Sequence, residues 1–277
     1  MSYQSVNPND GKVLKSFEHL SGAQLEQSLA TAESCFQTWK HTSYAERATI
    51  LHKAAKLMHD HVDHFARLAT LEMGKRIAEA RGEVEFSADI LAYYAKNAEA
   101  FLAPVKLHPK VGHAHMESSP FGVLFCVEPW NFPYYQLARV AGPHLMAGNT
   151  LVVKHAGCVP QCAIAFEKLL TDAGAPKGAY TNLLISHAQS DTVIDDPRIK
   201  GVALTGSVAA GRCLHQLADL LRTVGPRHRR PACQGRRADR QRRGRARSCR
   251  RRSSPTSSRA IRPSAMSSSG RSSRSSA

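Results

Sequence analysis

The sequence lacks any run of eighteen or more apolar residues, and its first residues lack the charged and apolar segments of a secretory signal. The first absence predicts no membrane-spanning helix, and the second predicts no export through a leader. The seven cysteines include no Cys-x-x-Cys pair and no spacing typical of a disulfide framework. These absences together predict a reducing, cytoplasmic setting and no membrane partner.

Lysine is absent after Lys200, and Asp239 is the single acidic residue beyond position 221. The same segment, 222–277, holds eighteen arginines and thirteen serines, so it carries a formal charge of +17 and the remaining residues sum to −1, which gives +16 for the chain. Because this segment has no apolar periodicity, it cannot bury enough apolar surface to offset the entropy cost of ordering its backbone, about 1–2 kcal/mol per residue. We therefore predict a folded domain at 1–221 and a disordered tail at 222–277.

Two interpretations of this Arg/Ser segment are open. Its positive charge could bind nucleic-acid phosphates in a salt-dependent way. Alternatively, Arg, Ser, Gly, Pro and Ala without Lys is the composition of a GC-rich gene translated out of frame, which would leave the folded part truncated. We favour the second interpretation and keep nucleic-acid binding as the alternative function.

Apolar periodicity predicts the elements of the folded part. Helical spacing of apolar residues predicts three helices at 21–39, 43–73 and 77–101, and loose alternation predicts an exposed antiparallel hairpin or arm at 105–121. Beyond Gly122, apolar strands at 123–127, 150–153, 182–185 and 201–204 alternate with helices at 134–146, 160–170, 191–194 and 208–221. This alternation predicts an α/β fold with a doubly wound, Rossmann-type parallel sheet, left incomplete where the strands stop.

Three segments follow these strands, where an open parallel sheet binds its ligand. In Glu128–Tyr134, prolines stiffen the turn, Trp130 offers a flat wall and Asn131 offers an amide donor. Lys154 ends an apolar strand and needs a partner such as a hydroxyl or phosphate, or else a snorkelling path to water. Gly206 and Ser207 open a helix and suit a phosphate, although such a turn is common.

The same segments, in this order, resemble the aldehyde dehydrogenase superfamily. The resemblance runs from about Asn7 to Gly211 and includes the motifs LEMGK at 71–75, PFGV at 120–123 and AGNT at 147–150. The combination of EPWNFPYYQ, KHA and ALTGS is similar to the NAD(P)-dependent succinate-semialdehyde dehydrogenase branch. No GxGxxG motif is present.

The resemblance implies roles for individual residues. Asn131 matches the side-chain donor to the thiohemiacetal oxyanion, and Lys154 matches the contact to the adenosine ribose or its 2′-phosphate. Many NAD-preferring members have Glu where this chain has Gly157, so the resemblance implies NADP or dual use of NADP and NAD. The matching groups near the cofactor pyrophosphate are Pro129, Trp130, Gly206 and Ser207.

The resemblance also implies what this sequence does not contain. The family reaction uses a nucleophilic Cys in a Gly-Gln-x-Cys motif and a general-base Glu in a Glu-Leu-Gly-Gly motif, and neither motif occurs here. We therefore expect the chain to keep the cofactor domain and to be inactive alone. The intact family implies a small aldehyde as substrate and a homo-oligomer. We expect no metal, because Cys158 and Cys162, whose one close companion is His155, are better read as small buried thiols than as a metal half-site.

Overall fold

A four-stranded parallel sheet forms the centre of the structure, a computed structural model that describes residues 3–212. In chain order the elements are β1 (Tyr3–Val6), β2 (Val13–Phe17), α1 (Gly22–Trp39), α2 (Tyr44–Asp60), α3 (Val62–Met73), α4 (Ile77–Phe101), β3 (Val105–Leu107), β4 (Ala114–Met116), β5 (Val123–Glu128), α5 (Pro133–Met146), β6 (Thr150–His155), α6 (Pro160–Ala173), β7 (Tyr180–Asn182), α7 (His187–Ile194) and β8 (Ile199–Leu204). The predicted α/β class with a parallel sheet is confirmed.

The sheet order is β7-β6-β5-β8, so β5 is central and the chain reverses direction across the sheet beside it. Val127 pairs with Lys154 of β6 on one side and with Leu204 of β8 on the other. Since all three strands are parallel, their carboxyl ends lie at the same edge. That edge is where a doubly wound sheet forms a ligand crevice.

Each face of the sheet carries its own core. On one face, α1 and α7 cover Val123, Phe125 and Val152. On the other face, α5 and α6 cover Leu124, Cys126 and Leu151, and α2, α3 and α4 form a further layer over those helices. All six of these strand residues are at most 5% exposed, which is why the strands read as continuous apolar runs.

The N-terminal helices follow the predicted pattern with one correction. Ser21 and Ser43 cap α1 and α2 with reciprocal capping boxes, as their positions before the apolar repeats predict. The predicted single helix 43–73 is wrong, because it divides at His61, whose φ of −120° and ψ of 29° leave the helical region. Apolar spacing continues across this break, so periodicity could not detect it.

Two strand predictions also need correction. The third sheet strand is Tyr180–Asn182 and not 182–185. Leu183 and Ile185 lie just beyond the strand and are buried, so their apolar side chains give the same pattern as a buried strand. The antiparallel pair of β1 and β2 was not predicted, because β2 does not alternate apolar and polar residues and is almost wholly exposed. The predicted hairpin at 105–121 is confirmed as β3 paired with β4.

The Arg/Ser segment and most of the predicted helix 208–221 lie outside the described residues, which are helical at 208–212. The predicted boundary at 221–222 and the disordered tail therefore stay predictions. Among residues 3–212, no helix is long and apolar enough to cross a membrane.

A buried carboxylate joins the outer helices to the sheet layer. Glu72, at the end of α3, is 3% exposed and accepts hydrogen bonds from the amides of Gln161 and Cys162, each at 2.9 Å. These amides are in the first turn of α6, where N–H groups have no helical partner and the helix dipole favours negative charge. Glu72 therefore caps α6 from a different element.

We expect Glu72→Gln to lower the free energy of unfolding by about 1–3 kcal/mol, because one amide of α6 then faces an NH₂ group and the charge is lost. Urea unfolding followed by circular dichroism measures this. Glu85→Gln, at an exposed position of α4, is the control and should change the value by less than about 0.5 kcal/mol. Equal effects of the two variants would contradict the capping role.

Candidate functional site at the carboxyl edge of the sheet

The structure places the three predicted segments at one edge. Trp130 follows β5, Ser207 follows β8, and Lys154 is the penultimate residue of β6, with all three strands adjacent and parallel. Thr205 remains tied to the central strand through its amide, which donates to Val127 O at 3.0 Å. The topology therefore brings these segments to a common edge, while their roles in binding stay predictions.

The turn between β5 and α5 presents its side chains outward. Trp130 is 51% exposed, Phe132 is 45% exposed and Asn131 is exposed as well. The Asn131 side-chain amide has no hydrogen bond to the residues that the structure describes, so its N–H groups are available to a ligand. An exposed amide on a stiff turn can donate to an oxyanion if its backbone is held in place.

A buried ion pair holds that backbone. Lys75 and Glu83 form a salt bridge in which the side chains are 8% and 2% exposed. The Lys75 ammonium also donates to the Asn131 carbonyl oxygen at 3.0 Å. Glu83 accepts from the amides of Tyr134 and Tyr135 at 2.8 and 3.2 Å and thereby caps α5. The pair thus fixes both the peptide of Asn131 and the start of the helix after it.

His155 supports the same turn from β6. It is 2% exposed, and its ring nitrogens lie 3.1 Å from the Glu128 carbonyl oxygen and 3.0 Å from the Pro133 carbonyl oxygen. Burial lowers the pKa of His155 to about 4, so the ring is neutral near pH 7 and donates one N–H. Both nitrogens face oxygens of the turn, so His155 is a brace for it and is not available to a metal. Within residues 3–212, no cluster of three His, Cys, Asp or Glu could hold a metal ion. Of the two cysteines expected to be buried thiols, Cys162 is buried but Cys158 is exposed, so that expectation is wrong for Cys158.

Lys154 is a buried cation without a counter-charge. Its residue is 7% exposed, and burial lowers the pKa of its ammonium group, with no hydrogen bond or acidic neighbour in the described chain to oppose that shift. Its nearest aromatic contact is Tyr3 of β1, with the Lys154 Nζ 5.9 Å from the ring centroid. A buried lysine is costly unless it is paired, so this position favours an anionic or hydroxyl ligand.

Gly157 and the Gly206–Ser207 turn complete the predicted set. Gly157 is exposed, and a Cβ there would lie 3.6 Å from the Tyr3 ring, an ordinary contact, so packing tolerates a larger residue at this position. Gly206 and Ser207 are exposed, and Ser207 Oγ accepts from the Ala210 amide at 3.2 Å. The Ser207 hydroxyl therefore caps the helix that follows β8 and keeps its proton available for a further acceptor.

Glu128 is the most unusual group of this edge. It is 2% exposed, and neither carboxylate oxygen makes a hydrogen bond to the described residues. Burial raises the pKa of Glu128 to about 7, while the nearby Thr205 hydroxyl and the Arg139 charge lower it in part. Arg139 itself donates to Thr205 Oγ1 at 2.7 Å. The carboxyl therefore changes charge close to neutral pH directly before the Trp130 turn.

Sequence reasoning missed the groups that support this site. Lys75 and Glu72 were noticed only as parts of a motif, and Glu83 and Glu128 received no role. A sequence signal existed for Lys75, since a lysine after Gly74, which ends α3 at φ +74°, lies outside the helix repeat. No local pattern indicates which helix N-terminus a distant carboxylate will cap.

Comparison with known proteins agrees with this arrangement. The model of the aldehyde dehydrogenase family matches residues 1–225. Succinate-semialdehyde dehydrogenase [NADP(+)] of Deinococcus radiodurans is 43% identical over 216 residues, covering 78% of this chain and 45% of the relative. A probable succinate-semialdehyde dehydrogenase [NADP(+)] of Synechocystis is 38% identical over 211 residues, covering 76% and 46%.

A solved structure shows the same similarity. Succinic semialdehyde dehydrogenase from Streptococcus pyogenes, in complex with NADP+, superposes with a TM-score of 0.77 at 39% identity, covering 79% of this chain and 48% of that one. The chain thus spans about half the length of the relatives it matches.

We expect Glu83→Gln to destabilise the protein by about 3–5 kcal/mol, because it removes one partner of a buried pair and leaves Lys75 uncompensated. Glu79→Gln, one turn earlier on α4, breaks an exposed pair with Arg76 and should cost about 0–1 kcal/mol. Urea unfolding measures both. In addition, the ¹⁹F resonance of fluorotryptophan at Trp130 should move in Glu83→Gln and not in Glu79→Gln. An unmoved resonance would show that the pair does not hold the turn.

We expect Glu128 to make stability fall as pH rises from about 5 to 7. The unfolded carboxyl loses its proton near pH 4.3, whereas the folded one keeps it to about 7, so unfolding releases a proton within this window. Glu128→Gln does not titrate, so its stability relative to wild type should rise by about 3 kcal/mol across the window and then level. Urea unfolding at several pH values tests this. A difference that does not vary with pH would contradict it, and Glu99→Gln, exposed on α4, is the control.

Proposed function

The chain belongs to the aldehyde dehydrogenase family, and we propose that residues 3–212 bind a nicotinamide dinucleotide and present an oxyanion donor for aldehyde oxidation. The cofactor is NADP or NAD, with the 2′-phosphate accepted, and the favoured substrate is succinate semialdehyde. The observation that carries the proposal is the convergence of Trp130, Lys154 and the Ser207 turn at one edge of the sheet.

The residues of this edge fit a dinucleotide. Lys154 offers a buried ammonium group without a counter-charge in the described chain, which suits a ribose hydroxyl or a 2′-phosphate. Gly157 brings no carboxylate to the same place, so a 2′-phosphate meets no repulsion from that position. Pro129 and Trp130 on one side and Gly206 and Ser207 on the other suit a pyrophosphate, the latter through amides at a helix start.

Asn131 is the proposed group for the reacting carbonyl. Its exposed amide donates to the oxygen that becomes negative when a nucleophile adds to an aldehyde. Lys75 holds the carbonyl of the same residue at 3.0 Å, so the donor is oriented before substrate arrives. NADP or NAD, when bound, supplies the hydride acceptor. The chain's own part is to bind, to orient and to stabilise negative charge.

The surface beside Asn131 favours an aldehyde that carries a carboxylate. Phe86 and Tyr135 stack with ring centroids 5.5 Å apart, and with Phe132 they form the apolar wall of a groove of about 430 Å³. Its two carboxylates, Glu79 and Glu83, are each paired with a basic side chain. Arg139, one turn further along α5, is exposed and lies 5.8 Å from the Tyr135 ring centroid. A short hydrocarbon chain fits the groove, and a terminal carboxylate fits the guanidinium. Similarity to succinate-semialdehyde dehydrogenases supports the same substrate.

We further propose that these 277 residues alone do not turn over aldehyde, because neither the nucleophile motif nor the general-base motif of the family occurs among them. We also propose a homo-oligomer for the family's intact form. The β3–β4 hairpin and the residues beside it expose apolar side chains that a second subunit would cover. The exposed fractions are 50% for Val105, 57% for Met116 and 74% for Phe121. The alternative of nucleic-acid binding gains no support from the comparisons and is not proposed.

We expect calorimetric titration of the full chain to show NADP binding at least as tight as NAD, because Lys154 meets the 2′-phosphate and Gly157 does not repel it. Lys154→Met should weaken NADP by about tenfold or more, and Lys177→Met, at an exposed lysine, should change nothing. Succinate semialdehyde added to the NADP complex should give no rise in NADPH absorbance. Much tighter binding of NAD, or NADPH formation that one cysteine substitution abolishes, would contradict the proposal.

A further inference from the structure

A second basic group, His19, contacts the same aromatic ring as the Lys154 ammonium. Tyr3, 5% exposed, is fixed by its hydroxyl, which donates to the Ile185 carbonyl oxygen at 2.8 Å. Lys154 Nζ lies 5.9 Å from the centroid of its ring. His19, just after β2, packs edge-on against the same ring, with centroids 5.2 Å apart and planes at 83°. Tyr3 is thus a common wall for a lysine and a histidine.

The position of His19 is set by its neighbours in the chain. The Leu20 amide donates to the Leu184 carbonyl oxygen at 2.9 Å, and the Leu20 carbonyl accepts from the Gln189 side chain at 2.6 Å. His19 therefore lies between a fixed tyrosine and a fixed backbone, although its ring is partly exposed to solvent. A ring held in this way loses little entropy when it binds an anion.

The region around Tyr3 carries two basic side chains, His19 and Lys154, and no acidic partner for either among the described residues. The pKa of His19 is lowered, first by burial and further by positive charge, including that of Lys154. Among the described residues, Lys154 of β6 is the charged group that lowers the pKa of His19, and its neighbour in the chain, Glu18, is exposed. No carboxylate of the described residues forms a salt bridge with His19 or with Lys154. A lysine and a histidine that contact the same ring, with no carboxylate partner among the described residues, favour a dianionic ligand between them.

Resting on the proposed NADP site, we propose that His19 is a second cationic contact for the 2′-phosphate and so a specificity-determining residue for NADP over NAD. Lys154 alone serves a ribose hydroxyl or a phosphate, so it does not by itself separate the two cofactors. His19 adds a charge-assisted donor only toward the phosphate. Binding of the phosphate then draws a proton onto the imidazole, so the preference for NADP depends on pH.

The test compares adenosine 2′,5′-bisphosphate with adenosine 5′-monophosphate by calorimetry on the full chain. At about pH 6, His19→Gln should weaken the bisphosphate by about tenfold and leave the monophosphate unchanged. The ratio of wild-type to His19→Gln affinity for the bisphosphate should fall toward one by about pH 8, as the imidazole loses its proton. This ratio cancels the titration of the phosphate itself, whose second pKa is about 6.

His19→Lys should keep the bisphosphate tight at both pH values, and His52→Gln, an exposed histidine of α2, should behave as wild type. Equal weakening of both nucleotides, or none, would overturn the role of His19. If His19→Gln does not fold stably, His19→Lys serves as the test by itself. A loss of its affinity for the bisphosphate at about pH 8 would also overturn the role of His19. If wild type binds neither nucleotide, the proposed cofactor site fails, and that result is distinct from the failure of His19 in a chain that binds both.

Discussion

The starts of α5 and α6, the two helices that cover one face of the sheet, have no N-cap side chain of their own and are capped by carboxylates from other elements. Pro133 and Pro160 occupy the first positions of α5 and α6, where they need no hydrogen bond, and leave two amides in the next two positions. Glu83 accepts from the two amides of α5, and Glu72 accepts from the two of α6. Because these carboxylates come from α3 and α4, the outer helical layer completes the sheet layer. Neither layer satisfies its polar groups alone.

The two capping carboxylates differ in their partners, because only Glu83 is paired with a cation, and that cation also contacts the candidate site. Glu72 has only amide partners in the described part of the chain, whereas Glu83 is also paired with Lys75. Lys75 has a further hydrogen bond to Asn131 O, so the capped helix and the turn before it form one network. His155 contacts the same turn at both of its ends. The exposed side chains of the turn thus stand on a buried polar frame, which is the arrangement a preorganised donor requires.

The edge of the sheet is uneven in charge. On the side of β6, Lys154 is buried without a counter-charge among the described residues, and its pKa is lowered. On the central strand, Glu128 holds a proton up to about pH 7 because burial disfavours its charge. A positive group that lacks its anion favours an anionic ligand, and Glu128 opposes such a ligand less than an ordinary carboxylate because it is protonated below about pH 7. This asymmetry agrees with the similarity to dehydrogenases named for NADP.

The sequence by itself determined the fold class and the positions of the site segments, since four apolar strands alternate with amphipathic helices and the strand ends carry Trp130, Lys154 and Ser207. Its motifs also determined the family. It could not locate the break at His61 or the strand at Tyr180, because apolar spacing continues through both. Only the tertiary structure decided what supports the site. Lys75 is 56 residues from Asn131, and the Glu72 cap spans 90 residues to Cys162. Such partners follow from helix packing, which no local pattern contains.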